Sequence, residues 1–218
     1  MTAVRAFFSQ LMNVPNSMSL FRLLTAPLLV VFWVGLDMNV LALSIGTLGG
    51  ITDLFDGWVA RRLGQETEIG AVIDQLGDLM FESFCLLIGI VSGDLWVGWI
   101  LLYLFREFTV TSMRSYVSAR GGRLPSSPLG KTKSSLYQWA FFSLFLGAIL
   151  QDPGVLPASW SVAGVRPGEL LIGIATFAIG VGVLVGLISG ASYARAFARF
   201  YAERAGGRGG ASGEAPRG

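Results

Sequence analysis

Residues 53–78 read DLFDGWVARRLGQETEIGAVIDQLGD, and they join two apolar runs of the chain through a short polar link. Asp53 and Asp56 stand near the end of the first run at i, i+3 spacing, and Asp74 and Asp78 near the start of the second at i, i+4. On an α-helix each of these spacings places the pair on one face. The polar segment from Arg61 to Ile69 is short, so the two helices are expected to be antiparallel neighbours with their acid-bearing ends adjoining. All four carboxylates then converge on one spot. At ~1.5 Å of rise per residue, Asp53 lies ~12 Å below the helix end near Arg61, within reach of a phosphate group.

The same alternation of apolar run and polar link continues outward from this hairpin. Apolar runs cover roughly 19–36, 38–60, 70–91, 95–118, 134–151 and 169–200. Each approaches or exceeds the ~20 residues that cross a bilayer core as a helix. The chain is 53% hydrophobic and only 14% charged, too little charge to clothe a soluble domain of 218 residues. An all-α integral membrane protein is therefore expected, a six-transmembrane-helix bundle, because helices satisfy their own backbone groups without water. Residues 2–12 are read as a short amphipathic juxtamembrane helix with Phe7, Phe8 and Leu11 on its apolar side. The first apolar run lacks a small-residue cleavage site and is read as a retained helix, not a signal peptide.

Asp37 and Ser92-Gly93-Asp94 mark tight turns on one side of the bundle, and 152–168 forms the longest loop there. On the other side, 119–133 (ARGGRLPSSPLGKTK) reads as an ordered loop. Gly173, Gly180, Gly182, Gly186 and Gly190 of the last run suit close helix packing. One domain, 1–204, is followed by a low-complexity segment, 205–218, expected to be disordered.

Charge sets the orientation. With six helices, fifteen of the sixteen Lys and Arg fall on the side that carries both ends of the chain, and Arg166 alone falls opposite. Positive residues mark the cytoplasmic side, so both termini and the acid site are expected to face the cytoplasm from the inner membrane. The net charge of +2 is too small to argue for nucleic acid as a partner. No histidine is present, which excludes phosphohistidine intermediates, histidine bases and His-ligated zinc. The single Cys85 cannot form an intrachain disulfide and is read as a packing residue.

Four aspartates in one buried pocket need positive charge among them. A like pair about 4 Å apart repels by about 4 kcal/mol even at an effective dielectric of ~20. Hard oxygen donors without His or Cys point to one or two divalent cations of the Mg²⁺, Mn²⁺ or Ca²⁺ class. Two other readings stay open: acids paired structurally with basic neighbours, and a cation or proton relay in a transporter. Gly57 and Gly70, beside the acids, would leave room for a bulky ligand near the backbone.

The opening stretch resembles the signature of the CDP-alcohol phosphotransferase family, D-x2-D-G-x2-A-R-x8-G-x3-D-x3-D, at every fixed position: Asp53, Asp56, Gly57, Ala60, Arg61, Gly70, Asp74 and Asp78. The resemblance implies six transmembrane helices, a homodimer, and Mg²⁺ or Mn²⁺ held by Asp53, Asp56 and Asp74, with Asp78 also at the metal site. Asp78 would take the proton of an acceptor hydroxyl, whose oxygen attacks the β-phosphorus of a CDP-activated donor and releases CMP. Gly57, Ala60, Arg61 and Gly70 would frame the cytidine and pyrophosphate.

Residues 13–32, NVPNSMSLFRLLTAPLLVVF, are similar to the opening of the family's phosphatidylglycerophosphate-forming branch at Pro15, Asn16, Ser19 and Arg22, which adds Asn16 to the donor side. The stretch from Arg106-Glu107 through Arg114 to Gly130-Lys131-Thr132-Lys133 has the same character. It implies that Arg114, Lys131 and Lys133, with Arg120 and Arg123, hold an acceptor phosphate; Arg106 and Glu107, embedded in helix 4, are read from their placement as a structural ion pair. The expected reaction transfers a phosphatidyl group from CDP-diacylglycerol to glycerol 3-phosphate within the lipid bilayer. Inositol phosphate, serine and phosphatidylglycerol are the alternative acceptors.

Overall fold

Six helices make up nearly all of what the computed structural model describes, which is residues 13–65, 67–124, 128–157, 159–161 and 164–209, without the side chains of 53, 54, 56–58, 68, 128–132 and 205–209. Among the described residues no strand forms. The amphipathic helix expected over 2–12 lies outside them.

Local chemistry explains where each helix starts and stops. α1 (Val14–Val30) is capped by Asn13, whose side-chain oxygen accepts the Asn16 N–H at 2.8 Å, and Pro15 stands in the first turn, where a missing N–H costs nothing. Pro27 interrupts the hydrogen-bond ladder inside α1, and the helix widens into a π-helical turn, Val31–Gly35. The expected turn at Asp37 is present, with that residue in the left-handed region at φ 54°. α2 (Asn39–Leu63) ends on Gly64, left-handed at φ 61°, whose N–H faces the Ala60 and Arg61 carbonyls. Thr67 then caps α3 (Glu68–Val91), its hydroxyl accepting the Gly70 N–H at 3.0 Å. The polar link expected from Arg61 to Ile69 thus shrinks to 64–67, because both flanks are helical.

α4 (Gly98–Ser118) follows the expected turn at Gly93, φ 82°. α5 (Pro128–Gln151) begins inside the stretch expected to be a loop, so Lys131 and Lys133 are helix residues. The reason is Pro128, which suits a first helical position but reads as a loop former in isolation. α6 (Pro167–Gly209) runs past the expected boundary at 204, so 205–209 are helical and only 210–218 of that tail lie outside the described residues.

α1 packs against both α2 and α3, while α4 and α5 pack against α6. Direct contact between α2 and α3 is sparse among the described residues, so the hairpin is splayed and α1 forms its back wall. The two helices approach at Gly49, where an added Cβ would lie 3.3 Å from both the Phe81 ring and the Thr25 hydroxyl. Leu29, Phe81, Leu86, Tyr137, Leu144 and Ile179 belong to one buried core, with Cys85 enclosed in it as a packing residue.

The outside of the bundle is apolar too: Phe177, Trp139 and Phe105 are 75%, 72% and 68% exposed. A water-soluble surface avoids such a belt, and a bilayer solvates it. Val14–Gly35 and Pro167–Arg204 are long and apolar enough to cross a membrane. The other helices carry polar chemistry within their apolar runs, such as Asp74, Asp78 and Glu82 in α3 and Arg106 and Glu107 in α4, which lowers their mean hydropathy.

Candidate active site

Apart from exposed Ser17, the polar residues in the first half of α1 form one row at three-residue spacing: Asn16, Ser19 and Arg22, which are 3%, 4% and 2% exposed. Residues three apart share a helical face, and this face meets α3. Arg22 extends from α1 to the acids. Its Nη2 lies 2.6 Å from Asp74 Oδ1 and 2.7 Å from Asp78 Oδ1, so one buried guanidinium bridges both carboxylates. Ser19 Oγ donates to Asp74 Oδ1 at 3.4 Å. Gly77 faces the same contact, where an added Cβ would stand in ordinary van der Waals contact, 3.4 Å from the Ser19 carbonyl oxygen and 3.5 Å from Arg22 Nε.

This arrangement changes one expectation. The chain itself supplies a positive charge to the acid pocket, so counter-charge does not rest on metal alone. A charge-assisted bond to each carboxylate also orients both side chains. Asp74 and Asp78 remain about half exposed, at 45% and 48% of their side-chain surface, on the open side of the splayed hairpin. Their hard oxygen donors suit Mg²⁺ or Mn²⁺. Among the described residues no group of three or more metal-ligating side chains is assembled. The side chains of Asp53 and Asp56, needed to complete the four-acid set, lie outside those residues; the backbone carries both in the C-terminal half of α2.

On the expected donor side, Ala60 is half-buried and Arg61 is exposed in the last turn of α2, while Gly57 falls among the positions without side-chain description. Gly70 is buried, and its role differs from the one expected. A Cβ on Gly70 would lie 2.1 Å from Asn16 Oδ1 and 2.9 Å from Thr67 Oγ1, so the space it leaves is filled by Asn16 and is not open to a ligand. Asn16 Nδ2 donates to Thr67 Oγ1 at 3.0 Å, and Asn13 Nδ2 donates to the Gln65 carbonyl at 3.2 Å. These bonds fasten the start of α1 to the link between α2 and α3. Gly70→Ala is therefore expected to displace Asn16 and cost about 1–3 kcal/mol through overpacking. A lowered melting temperature together with a raised donor KM would show it, and an unchanged pair of values would contradict it.

The basic residues assigned to the acceptor phosphate do not share one environment. Arg114 is exposed on α4, donates from Nη2 to the Tyr193 hydroxyl at 2.5 Å, and has its guanidinium carbon 4.8 Å from the Tyr193 ring centroid. Arg120 stacks 3.6 Å over the Tyr116 ring, and Arg123 is exposed beyond Gly121 and Gly122. The side chain of Lys131 lies outside the described residues. Lys133 is the correction: it is a helix residue, 5% exposed and turned into the bundle. Its ammonium pairs with Glu107 and lies 3.6 Å from Glu82.

Arg106 completes that cluster. It pairs with Glu107 at 2.7 Å, as expected, and donates from Nε to the Gly186 carbonyl at 3.1 Å. Two acids and two bases thus tie α3, α4, α5 and α6 together inside the bundle. Two glycines of α6 make the room: a Cβ on Gly182 would lie 2.5 Å from the Tyr137 ring and one on Gly186 3.3 Å from Lys133 Cδ, while one on Gly190 would stand in ordinary contact, 3.5 Å from Arg106 Cγ. Sequence reading missed the role of Arg22 and the partners of Lys133. The available signal for Arg22 was the three-residue spacing of Asn16, Ser19 and Arg22 in a largely apolar helix.

A family model described as CDP-alcohol phosphatidyltransferase matches residues 12–187. A Cereibacter sphaeroides protein named CDP-diacylglycerol–glycerol-3-phosphate 3-phosphatidyltransferase is 32% identical over 145 residues, 64% of this chain and 66% (just under two thirds) of that protein. A Rickettsia felis protein of the same name is 30% identical over 172 residues, 76% of this chain and 88% of its own length. A third of that name, from Bacillus subtilis, is 29% identical over 137 residues, covering 56% and 70% of the two chains.

Proposed function

Because the chain belongs to the CDP-alcohol phosphatidyltransferase family, we propose that it transfers the phosphatidyl group of CDP-diacylglycerol to glycerol 3-phosphate and releases CMP. The observation that carries this reading is the pair Asp74 and Asp78, oriented by buried Arg22 at the open side of the hairpin that bears the complete family signature. The names of the Cereibacter, Rickettsia and Bacillus relatives support glycerol 3-phosphate as acceptor.

In the mechanism we infer, Asp78 accepts the proton of the acceptor hydroxyl as its oxygen bonds to the β-phosphorus. The bond from that phosphorus to the CMP oxygen breaks, and CMP leaves. Asp53, Asp56 and Asp74, with Asp78 at their edge, would hold one or two Mg²⁺ or Mn²⁺ ions, which when bound offset the pyrophosphate charge and stabilise the leaving group. Arg22 keeps both α3 carboxylates aimed at the open side. Arg61, with Ala60 and Gly57 beside it, faces the nucleotide end, and Asn16 and Gly70 brace that wall. Arg114 and Lys131, aided by Arg120 and Arg123, draw in the acceptor phosphate, while Lys133 holds α5 in register below them.

The same reading takes all six helices as membrane spans, with both ends and the acid site on the cytoplasmic side of the inner membrane, on the strength of the one-sided Lys and Arg distribution. A homodimer is part of it.

CMP release by purified protein in detergent tests the reading, with CDP-diacylglycerol, Mg²⁺ or Mn²⁺, and glycerol 3-phosphate, inositol phosphate, serine or phosphatidylglycerol supplied separately. Release with glycerol 3-phosphate alone, abolished by excess EDTA and restored by metal, is the expected result. Release with a different acceptor would retain the family chemistry and replace the substrate. Folded protein that releases no CMP with any acceptor would move an ion-transport role to the front.

A further inference from the structure

We propose that the groove between α2 and α5 seats one acyl chain of the lipid donor and sets the chain length the protein prefers; this rests on the phosphatidyl-transfer reading above. The groove holds about 340 Å³ and opens on the lipid-facing side of the bundle. Gly46 and Gly50 of α2 form one wall, Trp139 and Phe142 of α5 the other, and Phe81 of α3 lies between them. Gly50 leaves its part of the groove empty, since a Cβ added there would meet nothing within 4 Å. Trp139 is 72% exposed and Phe142 38%, so the mouth gives onto the surface that the bilayer would cover.

Position and polarity select the occupant. Gly50 precedes Asp53 by three residues, ~4.5 Å along the helix, so the groove begins just beneath the acid end of α2. From there it follows α2 back to Leu43, a further ~10 Å from the middle of the helix toward its start. Its polar lining is concentrated at the acid end, where Gln138 Nε2 donates to the Gly50 carbonyl at 3.4 Å and Ser135 stands one turn above. Below that point the walls are aromatic and aliphatic except for the single hydroxyl of Thr47. A donor whose phosphates sit at the acids has its ester region at this polar rim and its hydrocarbon directed down the apolar walls. A soluble polar ligand would find only the Thr47 hydroxyl below the rim, too little to offset its lost hydration.

Gly50→Leu fills the groove without a backbone clash. In the CMP-release assay with Mg²⁺ and glycerol 3-phosphate, it is expected to raise KM for dipalmitoyl CDP-diacylglycerol about tenfold, the equivalent of roughly two methylenes denied burial. With dihexanoyl CDP-diacylglycerol the KM should rise by less than about threefold and kcat stay near wild type, since a short chain has fewer methylenes to lose from the groove below the filled rim. Equal effects on both donors, or none on either, would overturn the proposal. A CDP-diacylglycerol carrying a mid-chain diazirine gives a readout independent of turnover. Photo-labelling of α2 and α5 peptides in the wild type, lost in Gly50→Leu, supports the groove even if no CMP is released, in which case only the reaction assignment fails. Labelling confined to other helices, or cross-linking between two copies through Trp139, overturns it.

Discussion

Asp78→Asn is expected to lower kcat for CMP release by ~10²–10⁴-fold, the usual range for losing a positioned general base, while the protein stays folded. The structure explains why the two effects separate. Asparagine keeps the shape of the side chain, and Arg22 retains its 2.6 Å bond to Asp74, so the buried guanidinium is not stranded. Asp78 is also about half exposed, which limits what its ion pair adds to stability. Turnover measured beside a melting curve in the same detergent gives both answers. Near-normal kcat in the variant would remove Asp78 from the proton-transfer step, and a collapse of melting temperature would recast it as a structural acid.

Lys133→Met should do the reverse, with its largest effect on stability. Lys133 lies between Glu82 and Glu107, and its replacement leaves buried negative charge with only Arg106 to answer it. Removing one partner of a buried pair typically costs about 3–5 kcal/mol, and the apolar surroundings on α6 offer little water to soften it. The double variant Lys133→Met with Glu82→Gln restores neutrality and is expected to recover most of the loss. Thermal unfolding of the three proteins tests this directly. If Lys133→Met instead keeps its melting temperature and raises only KM for glycerol 3-phosphate, Lys133 is an acceptor ligand after all and the ion cluster is dispensable.

These two residues mark the border between what residue order reveals and what it hides. Asp78 was legible because its partners in the signature, Asp74 four residues back and Gly70 eight back, lie on the same helix. Lys133 was misread because GKTK looks like a basic loop when nothing shows that Pro128 starts a helix there. Arg22 was counted toward the charge bias and the family resemblance but given no role, since the polar row on its own helix does not say which residues, 52 and 56 positions away, it meets. Gly70 was read as ligand space because a missing side chain looks the same in sequence whether a substrate or Asn16 fills it.

By itself the sequence determined the helices, most of their ends and the pairing of acids on common faces. These depend on apolar run length, on caps such as Asn13, Thr67 and Gly64, and on a three-to-four-residue period, all properties of neighbouring residues. Only the tertiary structure decided which cation meets which acid and which gaps stay open. Helix periodicity sets the direction a side chain leaves its own axis. Whether Arg22 finds Asp74 and Asp78, whether Lys133 finds Glu107, and whether Gly50 faces empty space depend on how separate helices are placed against one another, and that placement follows from packing across the whole bundle.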